Sequence, residues 1–190
     1  MDQTKVAHYF KMLMTEGLGL DLSDPNLTDT PTRVAKMYCA EWFKSVGSEF
    51  TDFKSFPNDE GYTQIIMYDR IHFTSFCSHH FLPFTGLAWI AYIPKDTLVG
   101  ASKPTRLVNH YASRPQLQEN LTHQVLNQFV KHIEPEGAMV VMRAVHSCMT
   151  CRGVGQTNGA GMQTDALFGS FFKPEVKSEA LELVKLSLIL

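Results

Sequence analysis

The stretch Phe76-Cys77-Ser78-His79-His80-Phe81 decides how the rest of the chain reads. Strand-like alternation precedes it. Ile65, Met67, Ile71, Phe73 and Ser75 recur at one parity, and Gln64, Ile66, Tyr68, Arg70, His72 and Thr74 at the other. Alternate residues of a strand face opposite sides of a sheet, so this run predicts a strand that delivers Cys77 at its end. A second strand is expected over residues 85–93, stopped by Pro94-Lys95-Asp96. Together they predict a long antiparallel hairpin with the polar turn near its tip.

Cys77-x-x-His80 lets one tight turn present two metal ligands. Zinc prefers tetrahedral sites built from thiolate and imidazole, and a third ligand must come from elsewhere. Far downstream lies His146-Ser147-Cys148-Met149-Thr150-Cys151-Arg152-Gly153. Ala138, Val140, Met142, Ala144, His146 and Cys148 share parity. His146 and Cys148 are therefore expected on one strand face, about 7 Å apart by the rise per residue; Cys151 has the opposite parity. Cys77, His80 and Cys148 as ligands leave a fourth position for water, the catalytic pattern. The residues alone leave other readings open. Free cysteines are common as small buried apolar residues, and Cys148-x-x-Cys151 has the spacing of a redox pair. Cys77, Cys148, Cys151 and one further ligand could also close a structural zinc site.

Working outward, helices are expected over residues 4–16 and from Thr30-Pro31 to about residue 46, with Thr30 as cap and Pro31 in the first turn. Residues 47–61 read as a loop. Ser102 can cap a helix running to about Ala112, and Arg114-Pro115 starts another, striped by Leu117, Leu121, Val125, Phe129 and Ile133. A third strand is expected over residues 138–148. A loop with Gly153, Gly155, Gly159 and Gly161 leads to a fourth over residues 163–172. A helix from Pro174 ends in the apolar tail Leu186-Ser187-Leu188-Ile189-Leu190, read as a packing or subunit-contact segment. The expected class is α+β: a four-stranded antiparallel sheet with two helices inserted between its hairpins, preceded by N-terminal helices. Residues 1–60 are expected to form the helical extension and residues 61–190 the catalytic domain.

The 190 residues are 44% apolar and 19% charged with a formal net charge of −2, which indicates a folded chain with a sizeable core. No long basic run points to nucleic acid. No apolar run is long enough to cross a bilayer, and no secretory signal is seen. The expectation is a reducing cytoplasm in which the clustered cysteines serve as metal or catalytic thiols rather than disulfides.

Several strings then converge. They are Asp29-Thr30-Pro31 with Arg33-Val34-Ala35-Lys36-Met37-Tyr38, Cys77-Ser78-His79-His80, and Ala91-Tyr92-Ile93-Pro94. Ser102-Lys103-Pro104-Thr105-Arg106, Arg114-Pro115-Gln116-Leu117-Gln118-Glu119, and His146-Ser147-Cys148 with Arg152-Gly153 follow. In this order and spacing the chain resembles the GTP cyclohydrolase I family over residues 30–172. The resemblance implies the tunnelling fold, in which sheets from several subunits join into a closed barrel and lose their exposed edges. It also implies a homo-oligomer, a decamer of two pentamers, with active sites between neighbouring subunits.

The reaction the resemblance implies takes GTP and water to 7,8-dihydroneopterin triphosphate and formate, opening pterin, folate or deazaguanine synthesis. Zn2+ on Cys77, His80 and Cys148 would activate water for attack at C8 of the guanine ring. His146 is the expected first proton donor and His79 the second, since histidine titrates near the working pH. The resemblance assigns Arg33, Lys103, Arg106 and Arg152 to phosphates and Ser102 to the ribose. It assigns Glu119, with Gln118 beside it, to guanine N1–H and the 2-amino group. Two departures stand out: Ser78 where the family usually has Glu, and Cys151 where relatives usually lack cysteine. Rival readings are another tunnelling-fold activity on a pterin or deazapurine, and a zinc-dependent assembly or regulatory subunit without turnover. The former group lacks this Cys-x-x-His with a distant His-x-Cys.

Overall fold

The computed structural model describes residues 1–156 and 161–189, so Gly159 and Leu190 lie outside the described residues. The chain divides into two compact units, Met1–Gly47 and Ser48–Leu190. In the first, α1 (Gln3–Met12) is capped by Asp2, whose side chain accepts from the Lys5 N–H at 3.0 Å. Helix α2 (Thr30–Lys36) carries Pro31 in its first turn, where a missing N–H costs nothing. Thr30 is already helical and Asp29 holds the cap position, one residue earlier than expected.

Residues 48–60, grouped by sequence with the N-terminal extension, belong to the second unit. The reason is pairing: β1 (Ser55–Pro57) runs antiparallel to β4 (Thr97–Val99). The main sheet has five strands in the order β5-β2-β3-β6-β7. They are β2 (Ile66–Cys77), β3 (Pro83–Ile93), β5 (Pro115–Gln116), β6 (Gly137–His146) and β7 (Met162–Gly169). Neighbours are antiparallel except β5, which runs parallel to β2. The four strands expected thus gain a short fifth. Arg114-Pro115 does not start a helix. A residue before proline is pushed toward extended backbone, Leu117 is itself extended, and α4 (Gln118–Ile133) begins only after it.

Helices α3 (Lys103–Ala112) and α4 cover one sheet face. Ala88, Ile90, Tyr92, Ala138, Val140 and Met142 pack there against Leu107, Val108, Leu121, Val125 and Phe129. On the other face Trp89, Ala91, Met139 and Val141 meet Phe171 and, from α6 (Pro174–Ser187), Ala180 and Val184. Trp89 Nε1 donates to Ser187 Oγ at 2.8 Å, which satisfies a buried indole and ties the C-terminal helix to the central strand. With both faces covered, β3 and β6 are apolar at nearly every position rather than alternating. Among the described residues no helix is long and apolar enough to cross a membrane.

Two expectations about parity need correction. In β2, Tyr68 pairs with Ile90 but Ile71 with Ala88, so one extra residue is accommodated at Asp69-Arg70. Such a bulge swaps the faces on either side of it. Ile66 and Tyr68 therefore join Ile71 and Phe73 on the α3/α4 side, while Ile65 and Met67 pack with the α6 cluster. Strand β6 ends at His146, and Cys148 sits in the single turn α5 (Ser147–Thr150). The strand rise therefore does not set the spacing of His146 and Cys148.

Close approach of β3 and β6 requires a glycine at one point. A Cβ on Gly86 would lie 2.0 Å from the Arg143 carbonyl oxygen and 2.7 Å from Ala144 Cα, both backbone atoms that cannot rotate away. Gly86→Ala is expected to destabilise the fold by about 1–3 kcal/mol and lower Tm by roughly 3–10 °C. An unchanged melting curve would refute this packing.

Candidate functional site

Cys77 ends β2, and the turn that follows is tight. The Cys77 N–H donates to Leu82 O and the Phe81 N–H to Cys77 O, each at 2.9 Å. Phe81 closes the turn with φ +53°, a left-handed conformation that bulky residues rarely adopt. The chain returns so that His80 Nδ1 lies 3.9 Å from Cys77 Sγ. Strand pairing supplies the third group. Phe84, just past the turn, is opposite His146, so the end of β6 lies beside the hairpin tip and α5 carries Cys148 to it. The ligand atoms of Cys77, His80 and Cys148 all lie within 4.8 Å of one another.

Two thiols and an imidazole are the donor types that zinc and similar soft divalent ions take, so the residues fit a metal. All four cysteines are free. Cys151 is exposed and, among the described residues, stands outside the metal-competent group. Burial pushes the Cys148 thiol up from its ordinary pKa, and neighbouring Cys77 pushes it further, while Arg152 acts weakly the other way. A cation bound here would reverse that preference by stabilising the Cys148 thiolate.

A cleft of roughly 180 Å³ opens beside the trio, lined by Cys77, His79, Gln116, Gln118, Glu119 and His146 among others. His146 stacks flat on Phe84, ring centroids 4.4 Å apart. Its Nε2 lies 2.8 Å from Gln118 Oε1. The orientation of that amide follows from its other contacts. Gln118 Nε2 lies 3.2 Å from Met142 O and 3.1 Å from Met162 O, and carbonyls can only accept. The Gln118 oxygen therefore faces His146 and must receive a proton from Nε2. Neutral His146 is the Nε2–H tautomer, with Nδ1 left as the basic atom. Burial lowers the His146 pKa and the Glu119 charge opposes this. His79 lines the same cleft, its ring 6.2 Å from that of His80 and nearly perpendicular to it.

The structure thus brings Cys77, His80, Cys148, His79, His146, Gln118 and Glu119 together. Gln118 is 1% exposed, and its amide is committed to the backbone and to His146, which makes it a support for His146 rather than an open ligand contact. Glu119 is exposed in the first turn of α4. Ser102, Lys103 and Arg106 lie at the start of α3, outside the lining of the cleft. Ser102 occupies the cap position of α3 without its side chain capping. Lys103 and Arg106 both pair with Asp52. Arg33 belongs to the first unit, where it pairs with Asp29 at 3.2 Å.

Sequence reasoning missed Gln116, Leu117 and Met162 in the lining, and Asp52 beside the cations. Gln116 is buried and donates to Tyr111 O and Gln124 Oε1, both at 2.9 Å. Its signal was its place in the string Arg114-Pro115-Gln116-Leu117-Gln118-Glu119. Asp52, some fifty residues upstream of its partners, had none.

The GTP cyclohydrolase I family model matches residues 6–185. GTP cyclohydrolase 1 of Desulforamulus reducens is 39% identical over 185 residues, covering 96% of this chain and 97% of the relative. GTP cyclohydrolase 1 of Mannheimia succiniciproducens is 39% identical over 171 residues, 88% of this chain and 77% of the relative. Among solved structures, apo archaeosine synthase QueF-Like aligns with 56% of this chain and 94% of its own, at TM-score 0.46 and 16% identity.

The Gln118 arrangement is directly testable. In Gln118→Leu, the buried Met142 carbonyl and the half-buried Met162 carbonyl lose a donor and His146 loses its acceptor. The expected cost is about 1–3 kcal/mol in denaturant unfolding. Nitrogen NMR of His146 should show the Nε2–H form in wild type and a tautomer mixture in the variant. A mixture already present in wild type would refute the assignment.

Proposed function

Because the chain belongs to the GTP cyclohydrolase I family, we propose that it converts GTP and water to 7,8-dihydroneopterin triphosphate and formate, with one Zn2+ held by Cys77, His80 and Cys148. The observation that carries this reading is the trio itself: three soft donors within 4.8 Å of one another, at the edge of a cleft that also holds two further histidines and a carboxylate. The ion supplies Lewis acidity for hydrolysis at C8. Everything else falls to the chain. His146, with Nε2–H held by Gln118, presents Nδ1 for proton transfer to or from the purine ring, and the flat stack on Phe84 restricts its rotation. His79 is the second proton carrier. Glu119 accepts from guanine N1–H and the 2-amino group.

Lys103, Arg106, Arg152 and Arg33 take the triphosphate and Ser102 the ribose. The cleft of roughly 180 Å³ is small for a nucleotide, since ligand pockets usually run to roughly 300–1,000 Å³. The α3 cations also lie outside it. Both facts support sites completed between subunits, in a decamer of two pentamers. Both ligand thiols must stay reduced to hold a cation, which suits the cytoplasm.

Metal analysis and product assay test the reading together. Cys77→Ala and Cys148→Ala should lose zinc and formate release, whereas Cys151→Ala should keep both. His146→Ala should keep zinc and lose about 10²–10⁴-fold in kcat, read by formate and by fluorescence of the oxidised neopterin. Zinc and GTP binding with no formate from wild type would instead mark a subunit without turnover.

A further inference from the structure

Residues 48–54 run along the polar side of α3 and are held at several points. Arg114 donates to Ser48 O at 3.0 Å. Phe50 is buried, with its ring 5.4 Å from that of His110. Phe53 stacks on His132 at 4.8 Å and meets Phe129 edge-on at 6.1 Å. The Gly100 N–H donates to Lys54 O at 3.0 Å. Between the two phenylalanines stands Asp52. One of its carboxylate oxygens accepts from Lys103 Nζ, the other from Arg106 Nη1 at 2.6 Å. Lys103 is largely covered, its side chain 12% exposed, whereas Arg106 and Asp52 remain open to water at 59% and 49%.

A carboxylate bridging a lysine and an arginine three residues apart on one helix is what a phosphate would do at the same place, since both present oxygens to the same donors. The aromatic anchors on either side keep this carboxylate at a fixed position. We propose that Asp52 is a built-in competitor for Lys103 and Arg106, which sets how tightly the chain holds the polyphosphate tail of its ligand. This rests on the reading that these two cations bind phosphate.

The charge balance favours exchange in both directions. Two cations and one carboxylate leave a net positive charge, so a polyphosphate carrying several negative charges still gains on entry. The Arg106–Asp52 pair is open to solvent, and such ion pairs are weak and easily displaced. In the proposed reaction the product keeps the triphosphate of the substrate. Phosphate contacts that are equally strong before and after the chemistry lower KM and slow release without speeding the chemical step. Asp52, returning to its cations, offsets that grip.

Calorimetric titration of the full-length, metal-loaded protein with inorganic tripolyphosphate at low ionic strength tests this. Asp52→Asn should bind about three- to tenfold more tightly than wild type, and KM for GTP should fall in the same direction. If Lys103→Ala and Arg106→Ala leave tripolyphosphate affinity unchanged, the phosphate reading of α3 is wrong and the proposal falls with it. If those variants bind more weakly but Asp52→Asn binds no better than wild type, the phosphate reading stands and competition is refuted; Asp52 then only positions the cations. Asp52→Ser supplies the same readout should the asparagine variant fail to fold. Failure of both to fold would also overturn the proposal, because a carboxylate that the ligand displaces cannot be one the fold requires.

Discussion

The register between β3 and β6 is the constraint on which the site depends. The two strands pair continuously from Phe84 opposite His146 to Ile93 opposite Gly137. That pairing sets the tip of the β2–β3 hairpin beside the end of β6, and so brings Cys77 and His80 to the turn that carries Cys148. A slip of one residue would turn every β6 side chain to the opposite face. Val140 and Met142 would leave the α3/α4 core, and His146 would leave Gln118. The register is protected because both faces are committed, one to α3 and α4 and the other to α6. Gly86 adds a local condition, since only a residue without Cβ fits against the β6 backbone there.

A second, smaller pairing completes the arrangement. Pro115 and Gln116 lie parallel to Phe76 and Cys77, and the Ser78 N–H donates to Gln116 O at 3.0 Å. This anchors the start of α4 to the hairpin tip. Gln118 then reaches the β6 and β7 backbone, where its amide links the carbonyls of Met142 and Met162 to the His146 ring. A buried polar network of this kind is favourable only when every member is satisfied. Here it also fixes which ring nitrogen of His146 carries the proton, so a detail of proton chemistry is set by the sheet.

The charged groups are organised differently. The metal-competent trio, His79 and His146 are clustered around one small cleft, while Lys103 and Arg106 lie outside it on α3, bridged by a loop carboxylate. Ser78 leaves the exposed position next to Cys77 without a charge. Negative charge in the cleft comes from Glu119, which acts on His146, while Asp52 sits beside the α3 cations.

The residue types and their spacing alone determined the α+β class, the hairpin with Cys77 near its tip, the helices of the α3/α4 layer and the candidate metal donors, while the choice of Cys148 over Cys151 came from the tertiary structure. These are legible because they rest on local periodicity and on donor chemistry, which travel with the residues themselves. Only the tertiary structure decided the bulge at Asp69-Arg70, the end of β6 at His146, the strand at Pro115-Gln116 and the attachment of residues 48–60 to the larger unit. It alone showed that Gln118 supports His146 and that Asp52 bridges Lys103 and Arg106. Each of these depends on a partner distant in sequence. A bulge is defined by the facing strand, a two-residue strand by the edge it joins, and an ion pair by a loop some fifty residues away. No pattern within one segment records such a partner, because the free energy that selects it belongs to the contact and not to either piece of chain.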